Sequence, residues 1–338
     1  MDYAIKTLKT RADSGDVDAM LELSKKLING DGVKYNVSKA RKYLHIAAES
    51  GDERAYLELG KLYKDIAKFS NPNIAEYWLR KAVDNGSDEA SYLLGCLYYE
   101  CSFGSYAYET AAKWLLQPAE HGNAEAQLLL GLSCLELEKF EECYCWLKKS
   151  AEQGNAEAQY WYAIYADIPE KEQEYWLNKS IENGYQCAYN DLGRLYIYSE
   201  ECRDYSKGIE ILTYAAEKGY DGCMCSLAEC YFDGLGVARD GEKAFYWYKR
   251  AGFCYGRNHV GLGKCYLYGM GVKCDYKKAL KYFNKHLDTD REAVYELGNC
   301  YFNGWGVEPD KDKAKSLWEQ SAEYGFEKAK KALEENFK

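Results

Sequence analysis

Apolar positions along this chain recur with helical spacing, in pairs of segments. From Ala293 to Val307, Ala293, Leu297 and Tyr301 fall at i, i+4 and i+8 and make one apolar stripe on a helix. Gly298 sits beside that stripe. A mid-helix glycine costs roughly 1 kcal/mol against alanine, so its presence points to a neighbouring helix that needs the room. The run Gly304 to Val307, Gly-Trp-Gly-Val, ends the helix, because glycine takes the left-handed conformation that other residues resist at a helix C-terminus. Ala314, Leu317, Trp318 and Ser321 then predict a second helix whose apolar face returns onto the first.

The same pattern slides along the whole chain. The marker position of Ala293 is occupied earlier by Ala19, Ala55, Ala90, Ala126, Ala158, Ala188, Cys223 and Asn258, with a last partial match at Ala329, at intervals of 30 to 36 residues. Four residues further on stand Leu23, Leu59, Leu94, Leu130, Tyr162, Leu192, Leu227, Leu262 and Leu297, each followed by Gly, Ala or Ser. A period in this range marks stacked helix pairs, each burying its apolar face only against its neighbours. The expected fold is all-α, a single solenoid over 1–338, with repeats starting near 15, 51, 86, 122, 154, 184, 219, 254 and 289. Ala4 to Ser14 reads as a cap helix within 1–14, and Glu327 to Phe337 as another within 325–338, with Ala329 and Leu333 inward. With a cap at each end the chain reads as complete.

The motif A-x-x-x-L-G-x-x-Y-x-x-G-x-G-V, then K-A and a Trp/Tyr-bearing helix ending in A-A-E-x-G, resembles the Sel1-like repeat, a relative of the tetratricopeptide repeat. The resemblance covers nearly the whole chain. It implies a right-handed solenoid of about nine helix-turn-helix repeats whose first helices line a concave face, and a scaffold or adaptor that binds another protein there.

Individual repeats depart from the pattern. Repeat two replaces the loop glycines with Lys68 to Asn73, and repeat three with Cys101 to Tyr108. Pro118, inside the second helix of repeat three, is expected to kink it or cut it short. Repeats four and five are shortened to 32 and 30 residues, which calls for tight loops around Lys139 and Pro169. From Gly86 to Gly184 there are 17 Asp and Glu against 6 Lys and Arg, so the excess of −10 over the whole chain is concentrated in these middle repeats. A one-signed surface steers a basic partner and disfavours nucleic acid. On this ground an immunity-type inhibitor of a basic toxin is the alternative to a general adaptor.

Chemistry is sparsely supported. The Gly-x-Gly loops are neither Walker loops nor dinucleotide-binding turns. The four histidines, His45, His121, His259 and His286, form no H-E-x-x-H motif, and there is no C-x-x-C, so no metal, cofactor or small-molecule substrate is expected. Secreted cysteine-rich relatives are associated with β-lactam hydrolysis, which would call for Ser-x-x-Lys; no serine here has Lys three residues later, and an enzyme of that type is the least favoured reading. Of the fourteen cysteines, Cys96, Cys134, Cys230, Cys265 and Cys300 lie near the buried stripe and read as packing thiols, in keeping with a reducing cytoplasm. No apolar run reaches the length of a membrane span, and the N-terminus lacks the apolar core of a secretory signal.

Tyrosine is abundant, with 34 residues. Stripe tyrosines such as Tyr63, Tyr196 and Tyr301 read as core, whereas those one or two positions later leave the seam for the inner face. One, four and five positions past the small residue, this rule selects Lys61, Tyr99, Arg194, Tyr198, Lys264, Tyr268, Asn299 and Asn303 as the partner-binding set. They lack the Lys/Asn arrangement with which some tetratricopeptide domains hold a terminal carboxylate, which favours a folded or internal-segment partner.

Overall fold

The structure, a computed structural model, describes residues 3–66, 70–101, 104–252, 256–287 and 290–337. Among the described residues there are twenty helices and no strand, and the chain divides into two compact units, 1–166 and 167–338.

In the first unit a lone helix α1 (Tyr3–Asp13) precedes four pairs: α2 (Val17–Asn29) with α3 (Val37–Glu49), α4 (Glu53–Asp65) with α5 (Pro72–Asp84), α6 (Asp88–Cys101) with α7 (Ser105–Glu120), and α8 (Ala124–Glu136) with α9 (Phe140–Glu152). Helix α10 (Ala156–Tyr165) packs on α9. The second unit begins with α11 (Glu170–Glu182) and continues with α12 (Ala188–Tyr198) and α13 (Tyr205–Glu217), α14 (Asp221–Asp233) and α15 (Gly241–Arg250), α16 (Arg257–Tyr268) and α17 (Tyr276–Asn284), and α18 (Arg291–Asn303) and α19 (Lys311–Glu323). Helix α20 (Glu327–Asn336) closes on α19. These are the helices that the marker spacing predicts, including the cap helices α1 and α20.

What fixes each pair is a seam in which the small residue of the first helix receives a bulky side chain of the second. A methyl group added to Gly60 would lie 2.4 Å from Leu79, one on Gly131 2.8 Å from Leu147, one on Gly193 2.6 Å from Leu212, and one on Gly298 2.5 Å from Trp318. No real side chain tolerates such distances without moving its neighbour, so the glycines pack as the sequence predicts. In repeat one Ser24 takes the place and is buried, its hydroxyl donating to the Ala40 carbonyl.

The loop within the full-length repeats is also closed locally. Gly234, Gly269 and Gly304 end their helices in the left-handed conformation. The next helix starts on an Asp or Asn whose side chain accepts from an amide three residues on, as Asp240 does from Lys243 and Asp310 from Lys313. That same cap residue donates its own amide to the stripe tyrosine's carbonyl, Asp240 to Tyr231, Asp275 to Tyr266 and Asp310 to Tyr301, each at 2.9 Å. In the shortened repeat four the turn is tight, as expected, and Glu138 takes a positive φ of 58°, the one described non-glycine residue to do so.

One expectation is corrected. Pro118 does not cut its helix short: α7 runs on through it to Glu120. Proline there forgoes one amide bond in the final turn, while its carbonyl still accepts from Asn123, the closing bond that Asp52 makes to Ala47 in repeat one. The expected loop substitutions at Lys68–Asn73 and Cys101–Tyr108 fall partly outside the described residues.

Candidate functional site

Three and six residues past each marker, the first helix turns away from the seam. Side chains at these positions meet those of the next repeat's first helix and build two clefts, one in each unit.

In the first unit the cleft has a volume of about 470 Å³ and is lined by Leu21, Lys25, Arg54, Glu58 and Lys61 among others. The Lys25 ammonium lies 3.3 Å from Glu58, and that of Lys61 lies 2.6 Å from Glu89. Of the sequence-selected residues, Lys61 is therefore part of a cleft. Tyr99, in the same unit, is half-buried rather than free, edge-on to Tyr108 at 5.7 Å, and burial pushes its phenol up to about 12.

In the second unit a cleft of about 530 Å³ is lined by Arg194, Glu229, Arg257, Lys264, Glu292 and Tyr324, among others. Glu229 holds two guanidinium groups, Arg194 at 3.1 Å and Arg257 at 2.7 Å. Arg194 also lies 5.0 Å from the centre of the Tyr198 ring, a cation–π arrangement. Lys264 is not the open side chain that the face rule anticipates; it is 8% exposed, with its ammonium 2.7 Å from Glu292. Burial works against its charge, but the attraction and hydrogen bond of Glu292 prevail and hold it up to about 12.

Beside this cleft Glu296 is 6% exposed, and one of its oxygens accepts from the Tyr268 hydroxyl at 2.6 Å and from Asn299 at 3.0 Å. Burial holds its carboxyl above the usual range, although both hydrogen bonds oppose that shift. Asn303 is exposed and donates back to the Asn299 carbonyl. Tyr198 and Tyr268 keep 46% and 44% of their surface exposed.

The structure thus joins Arg194 to Tyr198 and sets Lys264 in the same cleft. Tyr268 and Asn299 both donate to Glu296 and Asn303 donates to the Asn299 carbonyl, while Lys61 and Tyr99 belong to the other unit. Sequence reasoning missed the acids Glu89, Glu229, Glu292 and Glu296 that order these groups. A signal exists: Lys61 and Glu89, Lys264 and Glu292, and Tyr268 and Glu296 are each 28 residues apart, about one repeat less two helical turns. It also missed that His259 and His286 meet, ring nitrogen to ring nitrogen, at 2.9 Å; burial, followed by Lys285 and His286, lowers the pKa of His259.

The five cysteines assigned to packing, Cys96, Cys134, Cys230, Cys265 and Cys300, are all buried as thiols outside any disulfide. Among the described residues no group of three side chains is arranged to hold a metal ion, and no helix is long and apolar enough to cross a membrane.

A family model for the Sel1 repeat matches eight segments, 17–52, 54–87, 88–123, 124–155, 188–220, 222–252, 259–285 and 291–326. The stretch left uncovered between the fourth and fifth matches contains α10 and α11. Among solved structures, the chain is similar to a protective antigen of uropathogenic Escherichia coli displaying an SLR fold. That alignment has 22% identity and a TM-score of 0.53, and covers 94% of this chain and 79% of the other. It is also similar to a signal-transduction ATPase with a tetratricopeptide repeat sensor from Pyrococcus horikoshii, at 17% identity and a TM-score of 0.57, covering 95% of this chain and 55% of that one. No curated protein matches the sequence.

Proposed function

Because the chain belongs to the Sel1 repeat family, whose members generally act as protein-interaction scaffolds, we propose that it is a non-catalytic adaptor that binds a partner protein on the exposed face of its first helices. The observation that carries this reading is the cleft of the second unit. Arg194, Arg257 and Lys264 are held in place by Glu229 and Glu292, so the face is ordered before a partner arrives. Tyr198 and Tyr268 stand exposed beside it as large side chains with few rotors to immobilise. Preorganised polar groups with neighbouring aromatic anchors are what a specific protein interface uses. Buried thiols such as Cys96, Cys134, Cys230, Cys265 and Cys300, outside any disulfide, suit a reducing compartment such as a bacterial cytoplasm.

The test is site-specific photo-cross-linking of the full chain in cells that express it. A benzophenone amino acid at Tyr198 or Tyr268 is expected to trap a defined partner, while the same probe at Lys148 on α9 or Lys179 on α11 is not. Equal trapping from the second helices, or none from the first, removes the assignment.

A further inference from the structure

The two face positions, three and six past the marker, are Glu22 and Lys25, then Glu58 and Lys61, in the first two repeats, and Glu296 and Asn299 in the last. In repeats three to five they are Leu93 and Cys96, Leu129 and Leu132, and Trp161 and Ile164. The backbone register is unchanged, so a surface that carries at least one charged residue per repeat elsewhere carries none here. Cys96 and Leu132 are buried, but Leu93, Leu129, Trp161 and Ile164 remain partly exposed, and Tyr165 is 42% exposed. Trp161 and Tyr165 stack at 5.6 Å and 20°, and the Trp161 indole donates to Glu157 at 3.1 Å, which fixes the pair as a plate.

The surroundings of this patch are acidic. Helices α6, α8 and α10 carry six acids and no Lys, Arg or His; Asp88, Glu89 and Glu100 are met by His121, Lys61 and Lys64 from other elements, which leaves Glu125, Glu136 and Glu157 without a basic partner among the ion pairs of the described residues. Burial first, then the charges of Tyr108, Glu136 and Glu157, raise the pKa of the Tyr99 phenol, in keeping with acids of α8 and α10 near this face.

We propose that this face of the first unit receives an amphipathic helix of another protein, with its apolar stripe on Leu93, Leu129, Trp161 and Ile164 and its Lys or Arg residues against the acids. The proposal rests on the scaffold reading and gives its partner a chemistry. Charge decides between occupants: an acidic or neutral helix would leave the rim uncompensated, and an anionic lipid surface would be repelled. Geometry fits as well. Three adjacent helices at roughly 10 Å spacing span about 20 Å, the length of a helix of about 13 residues.

The probe is a synthetic peptide of about eighteen residues with Leu at helical spacing and Lys elsewhere. It is compared with a scrambled order, a version with Glu for Lys, and a version interrupted by proline, each titrated against the full chain by fluorescence anisotropy. The expected result is that the basic amphipathic peptide binds at least about tenfold more tightly than all three controls. Binding should also weaken between about 50 and 300 mM salt. Leu129→Glu and Ile164→Glu should each cost about tenfold or more, and Lys311→Ala, far along the sequence in α19, should leave affinity unchanged. Should either acidic variant lose its helical circular dichroism, Glu125→Gln/Glu136→Gln decides instead, with loss of the salt dependence expected. Equal binding of the scrambled or proline peptide, or indifference to these substitutions, overturns the proposal. So does concentration-dependent dimerisation that Leu129→Glu abolishes, which would assign the face to a second copy of the chain. Photo-cross-linking at Tyr198 that persists while the peptide fails leaves the adaptor reading standing; loss of that cross-linking as well removes both.

Discussion

The first-helix faces of repeats three to five and of the second unit are built on the same register and present opposite chemistry. The former offers leucines and a Trp161–Tyr165 plate rimmed by acids. The latter is laced by Arg194, Glu229, Arg257, Lys264 and Glu292, so that its charges largely satisfy one another. Beneath both lies one seam, a small residue, glycine in most repeats and Ala163 or Ala228 in two, packed against the second helix. The contrast teaches that the information for the fold sits in the seam, and that the outward positions are free to diverge because nothing in the helix pair depends on them.

The sharpest way to break this comparison is to strike the seam in both units. Gly131→Leu and Gly298→Leu should each destabilise by about 1–3 kcal/mol or more, since the added side chain must displace Leu147 or Trp318. Chemical denaturation monitored by circular dichroism reads both, and one harmless substitution would show that the seam is not shared. Lys311→Ala should stay within about 0.5 kcal/mol of wild type.

Striking the faces should instead separate the units. Lys264→Ala is expected to cost about 1–3 kcal/mol, because it leaves the partly buried Glu292 without its ammonium, whereas Leu129→Gln on the half-exposed apolar face should cost about 1 kcal/mol or less. Equal losses in thermal denaturation would mean that the outward positions of the two units are not energetically different. The smallest effect concerns pH. The raised carboxyl of Glu296 binds a proton more readily in the folded state, so this group's own contribution to stability is fullest below the ordinary carboxylate value and is lost as pH rises through the folded one. In a urea series across acidic pH, the difference in stability between Glu296→Gln and wild type should therefore change with pH in that direction; a difference independent of pH would refute the assignment to this side chain.

The fold was readable because its determinants are close together in the chain. Gly298 and Trp318 are twenty residues apart, and the marker, leucine and small residue recur wherever such a pair forms. The site was less readable for two physical reasons. Whether Lys264 points into solvent or into a buried ion pair depends on Glu292, an acid on the next first helix, and no local pattern reports that. Leu129 and Trp161 look like additional core in a sequence already rich in leucine and aromatics; only the register established by Lys61 and its neighbours shows that they face outward.

The amide that each Asp cap lends to the carbonyl of its own tyrosine has a consequence for ancestry. The backbone hydrogen bond of the joint comes from that repeat alone, as between Asp310 and Tyr301, while Trp305 and Gly306 lean on Tyr276 of the repeat before. A duplicated segment would therefore arrive with its hinge hydrogen bond already set, needing only a neighbour to cover its apolar face. Such an array lengthens by copying, and each copy is then at liberty to acquire a different partner while its scaffolding is inherited intact.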